Sequence, residues 1–351
     1  MTASNAQMIE IEDSVEGFYE FLDETNTGDG LPGVPPTQAR VDAMLATTPR
    51  DPDELLGLLK PRHGMATIEA IARNAVMAGC KPEYFPVVVA AVEAVLAGDV
   101  RQVQAHTTNS STALLVVNGP IRDEIGVNYK EGCFGVAGRA NATIGRAVQL
   151  CWTNIGGVKA GPTSKTVFGQ PGRYTMCIGE WDEANPWQPF HVQRGFEPTH
   201  STVSALWATG TTLITDIWSR CSESYLLGIA LSINAVTGAC MILGDAEITV
   251  AINPQWAELF ASEGLSLADV QHFLWEKSQL PLDRFPHEHI HALKNGNRII
   301  DGDMVPQTVD ADHFNILVAG GRGGIHATVV HGMGHGRAWN APSATVAIND
   351  Q

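Results

Sequence analysis

The sequence predicts an α/β (or α+β) fold of two α/β lobes, with mixed sheets and a cleft between glycine-rich loops. Three observations predict it. An apolar, β-branched run at 114–117 stops at Asn118-Gly119-Pro120, the turn signal that ends a buried strand. A glycine-rich segment follows (Gly132, Gly135, Gly138) and leads into a helical pattern through Ile144, Ala147, Val148 and Cys151. A weaker echo of this unit recurs where ITVAI runs into Asn253-Pro254 and a second helical pattern. Strand, Asn, turn and helix thus occur twice, and in open α/β sheets ligands sit at the carboxyl ends of strands.

In chain order, the acidic residues 1–28 form a loosely attached segment with a short helix over 15–22. Residues 29–243 form the main lobe and 244–351 the C-terminal lobe. Leu31-Pro32-Gly33-Val34-Pro35-Pro36 is stiffened by proline, and Thr37 can cap a helix to Leu45. A short helix is expected over 51–59. The clearest helix is 67–78, with Thr67 as N-cap, Glu69 in its first turn and Gly79 at its end. A nearly all-apolar helix follows over 84–96. Residues 158–200 are irregular and rich in glycine, proline and aromatics, the composition of a functional loop or lid. Strands are expected at 201–208, 211–217, 241–243, 248–252 and 314–318, with others near Val329 and over 345–348. Residues 222–232 fit either a helix or a strand. Helices are expected over 255–262 and 266–277, the latter opened by Ser266 and Asp269 as an acidic capping box.

Composition bounds the function. With 351 residues, 44% hydrophobic and 17% charged, the chain is globular and not disordered. Its formal net charge of −16 argues against nucleic acid and anionic membranes, which are held by basic patches. No basic, apolar leader opens the sequence, and the apolar run at 85–96 is too short to span a bilayer. The six cysteines form no C-x-x-C pair, so reduced thiols in the cytoplasm are the simplest expectation.

Several residues invite chemistry. Asn118, Arg139, Asn141, Thr143 and Arg146 lie where backbone N–H groups and guanidinium charge favour an anion; a tight turn with surface arginines is the plainer alternative. Cys80 lies in the corner between two helices beside Lys81, where a thiol pKa can fall, although most cysteines simply pack. Cys133 lies inside the first glycine loop. The loop at 158–200 holds Glu180, Asp182, Glu183, His191, Arg194 and His200; of these Glu183 and His191 are the candidates for proton transfer and Arg194 for substrate binding. Arg322, in Ala319-Gly320-Gly321-Arg322-Gly323-Gly324, follows a strand and could cradle a carboxylate or phosphate. That loop lacks the lysine of a P-loop, and no nicotinamide or flavin fingerprint is present. Histidines gather toward the C-terminus. His287, His289 and His291 would share one face if extended, and His326, His331 and His335 form a second group. These could bind a divalent transition metal, or the first three could decorate an exposed hairpin ending at Lys294-Asn295-Gly296-Asn297.

The blocks NGPI, RANATIGRA and VAGGRGG, together with GLPGVPPT, TIEAIARNAVMAGCKPEYFPVVVAA, NPWQPFHVQRGF and PQWAELFASEGLSLADVQHFL, cover most of the chain. In them the sequence resembles a bacterial protein family often found beside small UGSC-type proteins containing cysteine or selenocysteine. One departure is Gly179-Glu180-Trp181-Asp182-Glu183, where relatives carry a more uniformly polar, acidic run. The resemblance implies a thiol-redox component, with Cys80 or Cys133 forming a mixed disulfide or thioester with a UGSC-type partner. The residues themselves favour a lyase or hydrolase acting on a small anionic substrate, in a homo-oligomer. A non-catalytic ligand-binding subunit is the third expectation.

Overall fold

The structure is a computed structural model that describes residues 9–98, 108–136, 138–236, 247–324, 326–332 and 343–348. The first part holds α1 (Val15–Glu24), α2 (Gln38–Leu45), β1 (Leu55–Leu59), β2 (Gly64–Thr67), α3 (Ile68–Ala78) and α4 (Phe85–Ala97). Next come β3 (Thr112–Asn118), α5 (Ile121–Glu124), α6 (Arg139–Leu150), β4 (Cys177–Gly179), α7 (Phe190–Gln193), β5 (Thr202–Ala208) and β6 (Gly210–Thr215). The remainder holds α8 (Ser222–Val236), β7 (Ile248–Ile252), α9 (Pro254–Ser262), α10 (Leu267–Lys277), β8 (Leu280–Pro281), α11 (His287–Asn295), β9 (Met304–Val305), β10 (Phe314–Val318), β11 (His326–His331) and β12 (Ala344–Ala347).

Two four-stranded mixed sheets carry the fold, as the α/β expectation required. Their orders are β12-β5-β3-β4 and β6-β11-β7-β10. The two patterns match strand for strand. β3 runs parallel to β4 and antiparallel to β5, which pairs antiparallel with β12. β7 runs parallel to β10 and antiparallel to β11, which pairs antiparallel with β6. Each half of the chain gives its last strand to the other half's sheet. The chain leaves β5 in the first sheet and enters β6 in the second through Thr209 alone, whose N–H donates to the His331 carbonyl at 2.7 Å. Later β11 stays in the second sheet while β12 joins the first.

Apolar clusters define four layers. Leu115 and Val117 of β3 pack with residues of α3, α4 and α6. Leu114 and Val116, on the opposite face, meet Ala251, Leu317 and Val330 of the second sheet. The far face of that sheet (Val250, Ile252, Ile316, Val329) lies under α8, α9 and α10. β3 is buried on both faces, which is why its sequence reads as an unbroken apolar run and not an alternation.

Local chemistry places the helices. The Thr67 hydroxyl accepts the Ala70 N–H, and Gly79 ends α3 in the left-handed conformation at φ 87°. Ser266 and Asp269 close a reciprocal capping box on α10. Residues 222–236 form a helix, resolving the helix-or-strand ambiguity there.

Three expectations are corrected. The acidic N-terminal segment is not loosely attached where it is described: Phe18 and Leu22 of α1 are buried in the core, and the Gly28 N–H donates to Asn154 at 3.0 Å. Residues 55–59 form a strand, not the end of a helix. Leu55-Leu56-Gly57-Leu58-Leu59 pairs with β2 across an irregular register at Gly57, where the chain approaches Leu96 of α4 too closely for a larger residue to fit freely. Residues 287–295 form a helix, not an extended hairpin arm. Its Leu293 packs beneath with Phe285 and Val305, so Lys294-Asn295-Gly296 ends a helix. The three-residue β4 within 158–200 was not foreseen, and the strand expected at 241–243 lies outside the described residues. Among the described residues no helix is long and apolar enough to cross a membrane.

Candidate functional site

Asn118 and Asn253 occupy equivalent places. Val117 pairs with Gly179 and Ile252 with Val318, so each Asn stands one residue beyond its strand's last pair with the parallel neighbour. Each grips the loop that follows that neighbour. The Asn118 amide donates to Glu180 Oε2 and Asp182 Oδ1, both at 2.7 Å. The Asn253 amide donates to the carbonyls of Gly321, at 3.3 Å, and Gly324.

Around Asn118 the grip becomes a buried polar network. Glu180, fully buried, also accepts the Phe190 N–H at 2.7 Å, the Asn185 amide at 3.0 Å and the Val318 N–H at 3.4 Å. Asp182 accepts the Gly119 N–H at 2.8 Å. Arg122, 1% exposed, donates to the Glu180 carbonyl and to Asp123 and Glu183, and its guanidinium lies 3.9 Å from the centre of the Tyr129 ring. Burial, then the neighbouring Asp182 charge, pushes the Glu180 carboxyl up to about 7, with its N–H donors pulling the other way. Burial raises Asp182 as well, against the Gly119 N–H and the Arg122 charge. His191 is fully buried; burial lowers its pKa, opposed by the Asp182 charge and then by the backbone of Pro198 and Glu197. The segment expected to act as a lid is therefore tied into the fold. Its Trp181 N–H donates to the Val318 carbonyl at 2.7 Å, and Phe190 enters the core between the sheets.

Around Asn253 the same geometry leaves space. A cleft of about 260 Å³ lies between the two glycine loops, with Cys133 on one side, Asn253 and Gly320 on the other, and His326 and Thr328 at the start of β11. Cys133 is 5% exposed. Burial pushes its thiol up to about 11, with the nearby backbone of Phe134, Cys133 itself and Gly320 pulling the other way; the Gly320 N–H donates to the Tyr129 carbonyl at 2.8 Å and the Cys133 N–H to the Lys130 carbonyl at 3.2 Å. A smaller cavity of about 30 Å³, lined by Asn141, Thr175 and Cys177, adjoins Cys133 from behind. The Cys133 sulfur is a nucleophile, the Phe134 N–H beside it can receive an oxyanion, and His326 adds an imidazole to the same cleft.

The other expected residues are elsewhere or already engaged. Burial pushes Cys80 up to about 12, opposite to the lowering expected beside Lys81, because that lysine turns to Glu83 and the thiol is enclosed. Arg139 donates to the Gly79 carbonyl at 2.9 Å. Asn141 clamps residue 128 by accepting its N–H and donating to its carbonyl, while Thr143 donates to the Arg139 carbonyl. Arg146 forms a fork with Asp29, both bonds 2.8 Å, and holds the Leu31 and Pro32 carbonyls. Arg194 donates to Asn315 and Ser343 beside buried Glu247, and Arg322 pairs with Glu258 at 2.6 Å. Glu183 is an exposed partner of Arg122.

The histidines do not converge. Helical geometry turns His289 away from His287 and His291 on α11. His326 and His331 start and end β11, five residues apart and so on opposite faces, with His331 buried against Thr212 at 2.8 Å. His335 lies outside the described residues. Among the described residues no three His, Cys, Asp or Glu side chains gather as metal ligands.

Sequence reasoning passed over Arg122, whose only signal was its place three residues beyond Gly119 at a strand end. It also passed over His326 as a neighbour of Cys133, since only the pairing of β11 with β7 brings 326 to the carboxyl end of β7. Neither a family model, nor a curated protein, nor a solved structure matches this chain.

Proposed function

We propose that the chain is a thiol-dependent enzyme of the hydrolase type, acting on a small carbonyl compound in the cleft between the glycine loops. The observation that carries this reading is the Cys133 sulfur, beside the Phe134 N–H in a cleft it shares with His326. In the first step the Cys133 sulfur bonds to the carbonyl carbon and the C=O π pair moves to oxygen, where the Phe134 N–H receives it. The thiol proton passes to His326, which returns it to the leaving group. Water then releases the acyl group from sulfur. With Cys133 only 5% exposed, a small molecule fits the site better than the thiol of a partner protein.

Alkylation by iodoacetamide, located by peptide mass spectrometry, tests the reading. Cys133, which lines the cleft, is expected to react faster than Cys151, which is 1% exposed within the core. Its rate should climb with pH toward about 11, and H326A should slow it at neutral pH on the order of 10²-fold. Labelling of Cys133 no faster than that of fully enclosed Cys151 would refute the assignment.

A further inference from the structure

At the end of α6 remote from Cys133 lies a second, larger cleft of about 390 Å³, between the N-terminal arm and the loop leading to β4. Its wall carries two cations whose surroundings differ from those of every arginine singled out in the sequence. Arg173 is half-buried and makes no ion pair and no side-chain hydrogen bond, and burial alone draws its pKa below the ordinary range. Lys159 spends one of its three protons on the Asn26 carbonyl, and burial, with the nearby Arg62 charge, lowers it too.

The acids at this cleft do not answer them. Asp29 is committed to Arg146 and to the Leu31 N–H at 3.0 Å. Asp23 is exposed and pairs with neither cation. Two further lining side chains, Ser164 and Trp152, are each 1% exposed; their polar atoms are closed off from the open cleft and have no partner among the described residues. A half-buried charge without a partner is costly, and buried donors without acceptors add to the cost. A half-buried, unpaired guanidinium beside a lysine with protons to spare fits a ligand made of acceptors.

We infer that this cleft binds a small, multiply charged oxyanion, a phosphate ester or a polycarboxylate, through Arg173 and Lys159. Its volume lies in the range of small-molecule sites. The inference does not depend on the reading of Cys133.

The test is thermal unfolding of the whole protein, titrated with inorganic phosphate and, separately, citrate, with sodium chloride holding ionic strength constant. A saturable rise in midpoint with either anion is expected, since a ligand that binds only the folded state stabilises it. Response to phosphate alone identifies a phosphate ester as the natural class, and response to citrate alone a polycarboxylate. Arg173→Gln should abolish the rise yet leave the ligand-free midpoint unchanged or higher, because it removes an unpaired charge. Lys159→Gln should weaken binding at least about tenfold, the effect of losing one charge-assisted contact. Arg284→Gln, on a distant exposed turn, should change nothing. No saturable rise with either anion, a rise that Arg173→Gln retains, or a ligand-free midpoint that falls in Arg173→Gln would each overturn the inference.

Discussion

Glu180 shows how one residue couples the fold to pH. Its carboxyl sits near 7 in the folded chain against 4.5 when free. Between these values the folded state holds the extra proton, so the support Glu180 gives to folding is full below about pH 4.5 and is lost as pH rises through 7. The span is worth about 3 kcal/mol. Denaturant midpoints measured from about pH 5 to about pH 8 should fall less steeply in Glu180→Gln than in the wild type; equal slopes would rule out this carboxyl as the titrating group. The loop's acids and imidazoles were visible in the sequence as chemistry, but their use was not. Nothing local to Glu180 announces that its acceptors meet donors from residues 118, 185, 190 and 318. The arginines misled for a related reason. Arg139 and Arg146 stand beside glycines in a familiar block, whereas their partners, the Gly79 carbonyl and Asp29, lie far away in sequence.

At the level of elements, legibility followed locality. α3 and α10 were readable because Thr67, Gly79, Ser266 and Asp269 act on the chain within one turn of themselves. β4 was not, because three residues with no hydrophobic pattern become a strand only by lying beside β3. Two substitutions separate these regimes. Ser266→Ala removes a cap and should cost about 1 kcal/mol in chemical unfolding, without changing the labelling rate of Cys133. Gly119→Ala should cost clearly more, about 3 kcal/mol or above. Gly119 has φ 83°, and an added Cβ would stand 2.2 Å from the His200 carbonyl oxygen. A Gly119→Ala protein as stable as Ser266→Ala would show that this turn is free to relax.

At the scale of the molecule, the repeated unit was visible and its consequence was not. Asn118 and Asn253 each follow an apolar run and precede a proline, which a reader of the sequence can see. That β6 crosses to the second sheet and β12 to the first depends on pairings between residues more than a hundred positions apart, such as Ala205 with Ala344. Both sheets should therefore melt together. A chain cut between residues 236 and 247 is expected to yield two pieces that lack a sharp transition alone and regain one when mixed. Cooperative unfolding of the N-terminal piece by itself would show that the exchanged strands are dispensable.

The exchange also bears on turnover. Many enzymes admit substrate by opening like a clamshell about a hinge between lobes. Here the single-residue step at Thr209 and the passage from β11 to β12 stitch the lobes together on both sides of any such hinge. Separating the two halves of the chain would have to unzip a ladder in each sheet. On the proposed reading of Cys133, admission and release would fall to the glycine loops themselves, and so to a few backbone torsions at the mouth.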